Sequence, residues 1–158
     1  MNNAAEVITP APEAPRYLLL VEQFRDAVRE AIPLIRAHGE EIGATHLPVP
    51  FRPALNLYAD MERQGRLWWA SVRAEDGRMV GYAMLLFAPF SLAAGRDCAL
   101  LEAVYLIPTA RCRAVLQDLL LLIEQEACHR QAVALVRSVW MKKGGRHPTQ
   151  LTRWKFLE

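Results

Sequence analysis

Residues 98–130 carry the feature that most limits the folds open to this chain: an apolar run, CALLEAVYLI, stops at Pro108 and gives way to a long amphipathic stretch. The run is too short, and too β-branched and aromatic toward its end, for a helix, and Pro108 closes it, so it reads as a buried strand. Thr109 is the expected N-cap of a helix beyond it. From Arg111 onward Val115, Leu119, Leu122, Ile123 and Ala127 recur at helical spacing, one face of a helix ending near His129 and Arg130. A strand that passes straight into a helix aims free backbone N–H groups and the positive end of a helix dipole at one spot. That junction is a ready anion site.

The flanking segments supply neighbours for this strand. Residues 16–22 (RYLLLVE) form a compact apolar run that reads as a first strand, and Phe24, Val28, Ile32, Ile35 and Ile42 trace a helical stripe behind it. Pro33 interrupts the stripe, so the main helix is expected over about 31–41, with Pro in its first turn. Residues 43–53, with Pro48, Pro50 and Pro53, read as a loop, and 53–63 as a second helix stopped at Gly65. Asp76-Gly77 between the apolar runs 67–73 and 79–88 is a hairpin signal. Residues 131–139 give a fifth strand. Trp68 and Trp69, adjacent on a strand, must point to opposite faces, so at least one is expected in the core, with an exposed or partner-bound surface open to the other.

Composition narrows the function classes. A length of 158 residues suits one domain, here 16–158, preceded by a proline-bearing lead-in over 1–15 expected to be disordered. A net charge of +2 indicates neither a nucleic-acid stripe nor an acidic tail. The Lys142, Lys143 and Arg146 cluster reads as solvated. No apolar run is long enough for a membrane helix, and the start lacks a secretory signal pattern, so a cytoplasmic location is expected, with neither nucleic acid nor membrane as partner. Cys98, Cys112 and Cys128 are odd in number and form no CxxC pair, which argues against a disulfide framework and against a metal site. Cys112, flanked by Arg111 and Arg113 at a helix start, is expected to have an acidified thiol. Glu102 is a carboxylate in a central strand, which simple alternation places on one face with Val104 and Leu106, where it needs a reason to stand.

Strand, Pro108, two residues, Arg111 and a helix together resemble the coenzyme A segment of the GNAT acetyltransferases, in particular the small members common in phage and prophage genomes. The family pattern Arg/Gln-x-x-Gly-x-Gly/Ala falls on residues 111–116, RCRAVL. Arg111 is kept, while Ala114 and Leu116 stand at the glycine positions, where a Cβ lies between backbone and diphosphate. Val80-Gly81-Tyr82-Ala83 resembles the family's third strand. The resemblance implies an α/β (α+β) fold with a mixed, mostly antiparallel sheet flanked by helices. Its order is strand, helix, helix, three strands, helix, strand, and a last helix over 149–156. Aligned on Phe156, Leu151 stands where the family often has a general-acid Tyr, and Lys155 where it has Gly. The final two strands of a complete member are missing, which implies an open sheet edge for a protein partner or a second copy.

The activity implied by the resemblance is acetyl-CoA-dependent transfer to an amine of a small molecule or protein, with Glu102 as base. Leu106 would offer a backbone N–H to the thioester carbonyl, and Ile107, Arg111, Cys112, Arg113, Ala114, Val115 and Leu116 would meet the rest of the cofactor. His38, Glu40, Glu41 and His46 lie on the segment that lines the acceptor side in the family, and His147 or Cys112 could replace the missing acid geometrically. The missing glycines and Tyr support a second reading, a catalytically inactive binding or assembly module, phage-encoded and acting through protein contacts.

Overall fold

The computed structural model describes residues 16–46, 52–141 and 149–157. The expected disordered lead-in and the basic cluster at 142–146, with His147, lie outside the described residues. Six strands form one sheet in chain order: β1 (Tyr17–Glu22), β2 (Leu67–Ala74), β3 (Met79–Pro89), β4 (Asp97–Leu106), β5 (Ala134–Met141) and β6 (Thr149–Phe156). All neighbours are antiparallel except β4 and β5. A parallel pair needs a crossover, and the helix α3 (Arg113–His129) supplies it.

The sheet separates two apolar layers. Val115, Leu119, Ile123 and Ala127 of α3 are its buried positions, the stripe legible in the sequence, and they pack with Val72, Ala83, Leu85 and Leu135. On the opposite face lie α1 (Phe24–His46) and α2 (Leu55–Arg63), where Phe24, Ala27, Ala31 and Ile35 cluster with Trp69, Tyr82, Met84 and Tyr105. Glu62 of α2 accepts hydrogen bonds from the backbone N–H groups of Phe24 and Arg25, satisfying donors that the start of α1 leaves free. The Asp76-Gly77 hairpin forms as expected, with Gly77 at φ 82°.

Several expectations are corrected. The first helix does not begin at about 31: it runs unbroken from Phe24 to His46 with Pro33 inside it. Pro33 is exposed, so the hydrogen bond it deletes lies on the solvent side while the buried stripe holds the helix to the sheet. Thr109 does not cap α3. Pro108–Ala110 form a separate 3-10 turn, and Cys112, in extended conformation, is the N-cap without a side-chain hydrogen bond. Trp68 and Trp69 point to opposite faces as expected, and both are buried, one in each layer.

The helix expected over 149–156 is a strand. TQLTRWKF alternates around β-favouring Thr, Trp and Phe, and β6 pairs with β5 from Ala134↔Phe156 to Met141↔Thr149. The β5 edge expected to stand open for a partner is therefore covered by the chain's own β6.

Candidate active site

Two irregularities in the sheet create the site. The first is a register shift between β3 and β4: Met84 pairs with Ala103 and Leu85 with Leu101, so Glu102 is the extra residue of a bulge. The bulge resets the alternation of β4. Ala99, Leu101, Val104 and Leu106 pack in the α3 layer, and Ala103 and Tyr105 in the α1 layer. Glu102 therefore does not share a face with Val104 and Leu106, as simple alternation implied. It lines a cavity on the α1 and α2 side.

The second irregularity is a parting of strands. β5 pairs with β4 only at Ala99, Leu100 and Leu101, whereas β3 follows β4 to Leu106. Ile107 donates its N–H to the Val80 carbonyl at 2.9 Å, so strand alternation turns the N–H of Leu106 to the other side, toward the gap. A cleft of about 410 Å³ opens there, lined by Val104, Leu106, Arg111, Cys112, Arg113 and Leu116. The N–H of Leu116 is bonded to Cys112, which leaves those of Arg113, Ala114 and Val115 without an intrahelical acceptor at the start of α3.

The expected cofactor residues thus divide. Leu106, Arg111, Cys112, Arg113 and Leu116 come together on the cleft. Ala114 is exposed, the Val115 side chain is buried against the sheet, and Ile107 packs against both layers. Arg111 is already engaged: its Nε donates to the Leu106 carbonyl at 2.8 Å, its guanidinium lies over the Tyr105 ring at 5.6 Å, and it forms an ion pair with Glu41. Arg113 is exposed and has no acidic partner among the described residues.

The Glu102 cavity, about 110 Å³, lies between α1, α2 and the sheet. Tyr58 Oη donates to Glu102 Oε1 at 3.2 Å, and burial, the Glu102 charge and this hydrogen bond push the Tyr58 phenol up to about 12. His38 lines the same cavity, with Nδ1 2.8 Å from Tyr82 Oη and its ring stacked on Tyr105 at 5.0 Å. Burial holds the His38 imidazole below its ordinary pKa and Arg111 adds to this, while Glu41 opposes it. Burial likewise raises the Tyr82 phenol, with smaller contributions from Tyr58 and Tyr105.

Of the other acceptor-side candidates, Glu40 is exposed on α1, Glu41 is committed to Arg111, and His46 ends α1 with its side chain outside the described residues. Sequence reasoning passed over Tyr58 and Tyr82 and set Tyr105 aside as misplaced for an acid. The signal in the sequence was weak, a single hydroxyl-bearing ring in each of two largely aliphatic runs, and only the structure shows Tyr82 and Tyr105 to be register partners. Among the described residues no cluster of His, Cys, Asp and Glu is arranged for a metal ion, and no helix is long and apolar enough to cross a membrane.

No protein-family model and no curated protein matches the sequence. Solved structures do match. A predicted acetyltransferase from Clostridium acetobutylicum, solved with acetyl-CoA, is 12% identical with a TM-score of 0.62, covering 78% of this chain and 81% of that one. An acetyltransferase from Trypanosoma brucei is 19% identical with a TM-score of 0.60, over 78% and 83%. The ribosomal-protein-alanine N-acetyltransferase from Brucella melitensis biovar Abortus 2308 is 19% identical with a TM-score of 0.58, over 77% and 79%. The fold of this chain is that of the GNAT acetyltransferases.

Proposed function

We propose that the chain is an acetyl-coenzyme A-dependent N-acetyltransferase that takes its donor in the cleft where β4 parts from β5 and its amine in the cavity beside Glu102. The observation that carries this reading is the pairing of the two irregularities at one point of β4. The ladder to β5 ends at Leu101, and the next residue, Glu102, is turned by the bulge into the opposite cavity.

The residues present suit such a donor. A strand edge released after Leu101 can hydrogen-bond an extended pantetheine arm, and the free N–H groups of Arg113, Ala114 and Val115 suit a diphosphate. Arg113 adds an unengaged positive charge. Ala114 is exposed and does not line the cleft, while Leu116 forms part of its wall, so the departures from glycine leave the cleft open. When bound, acetyl-CoA supplies a thioester carbonyl beside the strand. The N–H of Leu106, facing the gap, is the donor placed to stabilise charge on that oxygen.

Glu102 Oε1 receives the proton that the amine must lose before its nitrogen can attack. Tyr58 fixes the orientation of that carboxylate, and because its phenol is pushed up to about 12 it stays a donor at ordinary pH. Free-thiol release in the presence of an amine panel tests the reading. Glu102→Gln is expected to lower kcat about 10²–10⁴-fold, the usual contribution of a general base. An unchanged kcat would contradict the role.

The engagement of Arg111 by Glu41 favours a second reading, a scaffold with the fold but no donor binding that acts through contacts with a protein partner or a second copy. Calorimetry with acetyl-CoA separates the two.

A further inference from the structure

We infer that the acceptor is a small primary amine with one positive charge, carried on an aromatic or compact apolar body. This rests on the transferase reading of the Glu102 cavity and narrows it to a substrate class.

Three features of the cavity carry the inference. Its floor is aromatic: Trp69 and Tyr82 stack with centroids 4.7 Å apart and planes 11° apart, and Phe24 meets Trp69 edge-on at 5.3 Å. All three are buried, so this wall is held rigid by the core and presents an apolar surface to a ring or a short hydrocarbon.

The second feature is charge. Among the described residues lining the cavity, Glu102 is the one acidic side chain, and no Lys or Arg lines it. One ammonium group is matched by the Glu102 carboxylate. A second cationic centre would be desolvated without a counter-charge, and an anion would face Glu102 with nothing to offset it.

The third feature is the state of the other polar groups. His38 and Tyr82 are hydrogen-bonded to each other at 2.8 Å, and Trp69 Nε1 donates to Ser71 Oγ at 3.0 Å. A hydroxyl-rich body such as an amino sugar would find these groups already bonded to each other. The cavity fits an arylalkyl or short alkyl monoamine.

Calorimetry on the full chain with three probes tests this: 2-phenylethylamine, 3-phenylpropionate of nearly the same shape and opposite charge, and spermidine. 2-Phenylethylamine is expected to bind at least tenfold more tightly than either of the others. It is expected to weaken tenfold or more in Glu102→Gln and to lose binding in Ala103→Phe, which fills the cavity. Equal binding of 3-phenylpropionate or spermidine, or indifference of 2-phenylethylamine to Glu102→Gln, overturns the inference. Glu102 is exposed, so that variant keeps the test intact even where Ala103→Phe disturbs folding. A chain that binds acetyl-CoA but not 2-phenylethylamine overturns this substrate class and leaves the transferase reading standing. One that binds 2-phenylethylamine but not acetyl-CoA overturns the transferase reading and leaves the cavity's ligand class standing.

Discussion

Arg111 and Glu41, separated by 70 positions in the sequence, form an ion pair that ties α1 to the junction of β4 and α3. Arg111 lines the donor cleft, and Glu41 lies one helical turn beyond His38, which lines the acceptor cavity. A phosphate entering the cleft must compete with Glu41 for the guanidinium. Both side chains are about half exposed, so the pair contributes roughly 0.2–1 kcal/mol. Glu41→Gln should therefore tighten coenzyme A binding by a factor of about 1.4–5, and in an Arg111→Ala background it should change nothing. A double-mutant cycle by calorimetry measures this directly.

Gly81 in β3 faces Leu106 of β4. A Cβ added there would come within 2.5 Å of both Leu106 Cδ2 and the Tyr105 carbonyl oxygen, and the latter is backbone that cannot step aside. Gly81→Ala is expected to destabilise the chain by about 1–3 kcal/mol, the usual cost of overpacking. Urea unfolding checks it. Because the clash falls beside Leu106, coenzyme A affinity should fall as well.

Leu119 is fully buried between α3 and the sheet, where its neighbours are fixed by the strands they belong to and cannot readily collapse into a void. Leu119→Ala is expected to cost about 2–5 kcal/mol. The urea midpoint should shift accordingly with the slope unchanged.

What the sequence disclosed was whatever depends on local periodicity. Val115, Leu119, Ile123 and Ala127 announced α3 because one face of a helix over a sheet is a regular pattern, and Asp76-Gly77 announced the hairpin because a tight turn has its own residue chemistry. What stayed hidden depended on long-range pairing. The bulge at Glu102 is set by how β3 and β4 match across the sheet, and alternation read within β4 alone puts Glu102 on the wrong face. Pro33 suggested a helix start because tertiary packing of Ala27, Ala31 and Ile35 outweighs one missing hydrogen bond, a balance that does not appear in the local pattern. At Thr149–Phe156 the helix rested on the family resemblance alone, whereas the residues themselves carry the alternation of a strand. Of the site, Glu102 and the Arg111 to Leu116 segment were legible, and the aromatic cavity was not.

Stability should fall with acid in two steps. The folded chain holds His38 below its ordinary value of 6.5, so the unfolded chain binds more protons just below that pH. The contribution is fully present above 6.5 and is lost as pH drops through the folded pKa. Glu30, lowered first by the Met79 N–H and then by Arg73, behaves alike from 4.5 downward. The urea midpoint should decline as pH falls below 6.5 in the native chain. That first decline should be absent in His38→Gln and retained in Glu30→Gln.

The central claim is that the cleft beside Leu106 binds an acyl-coenzyme A, and calorimetric titration of the full chain with acetyl-CoA tests it most directly. The expected result is one site with micromolar affinity, weakened at least tenfold by Arg113→Glu, which reverses the unpaired charge at the start of α3. No binding at millimolar acetyl-CoA would contradict the claim and leave the chain as an acetyltransferase fold put to another use.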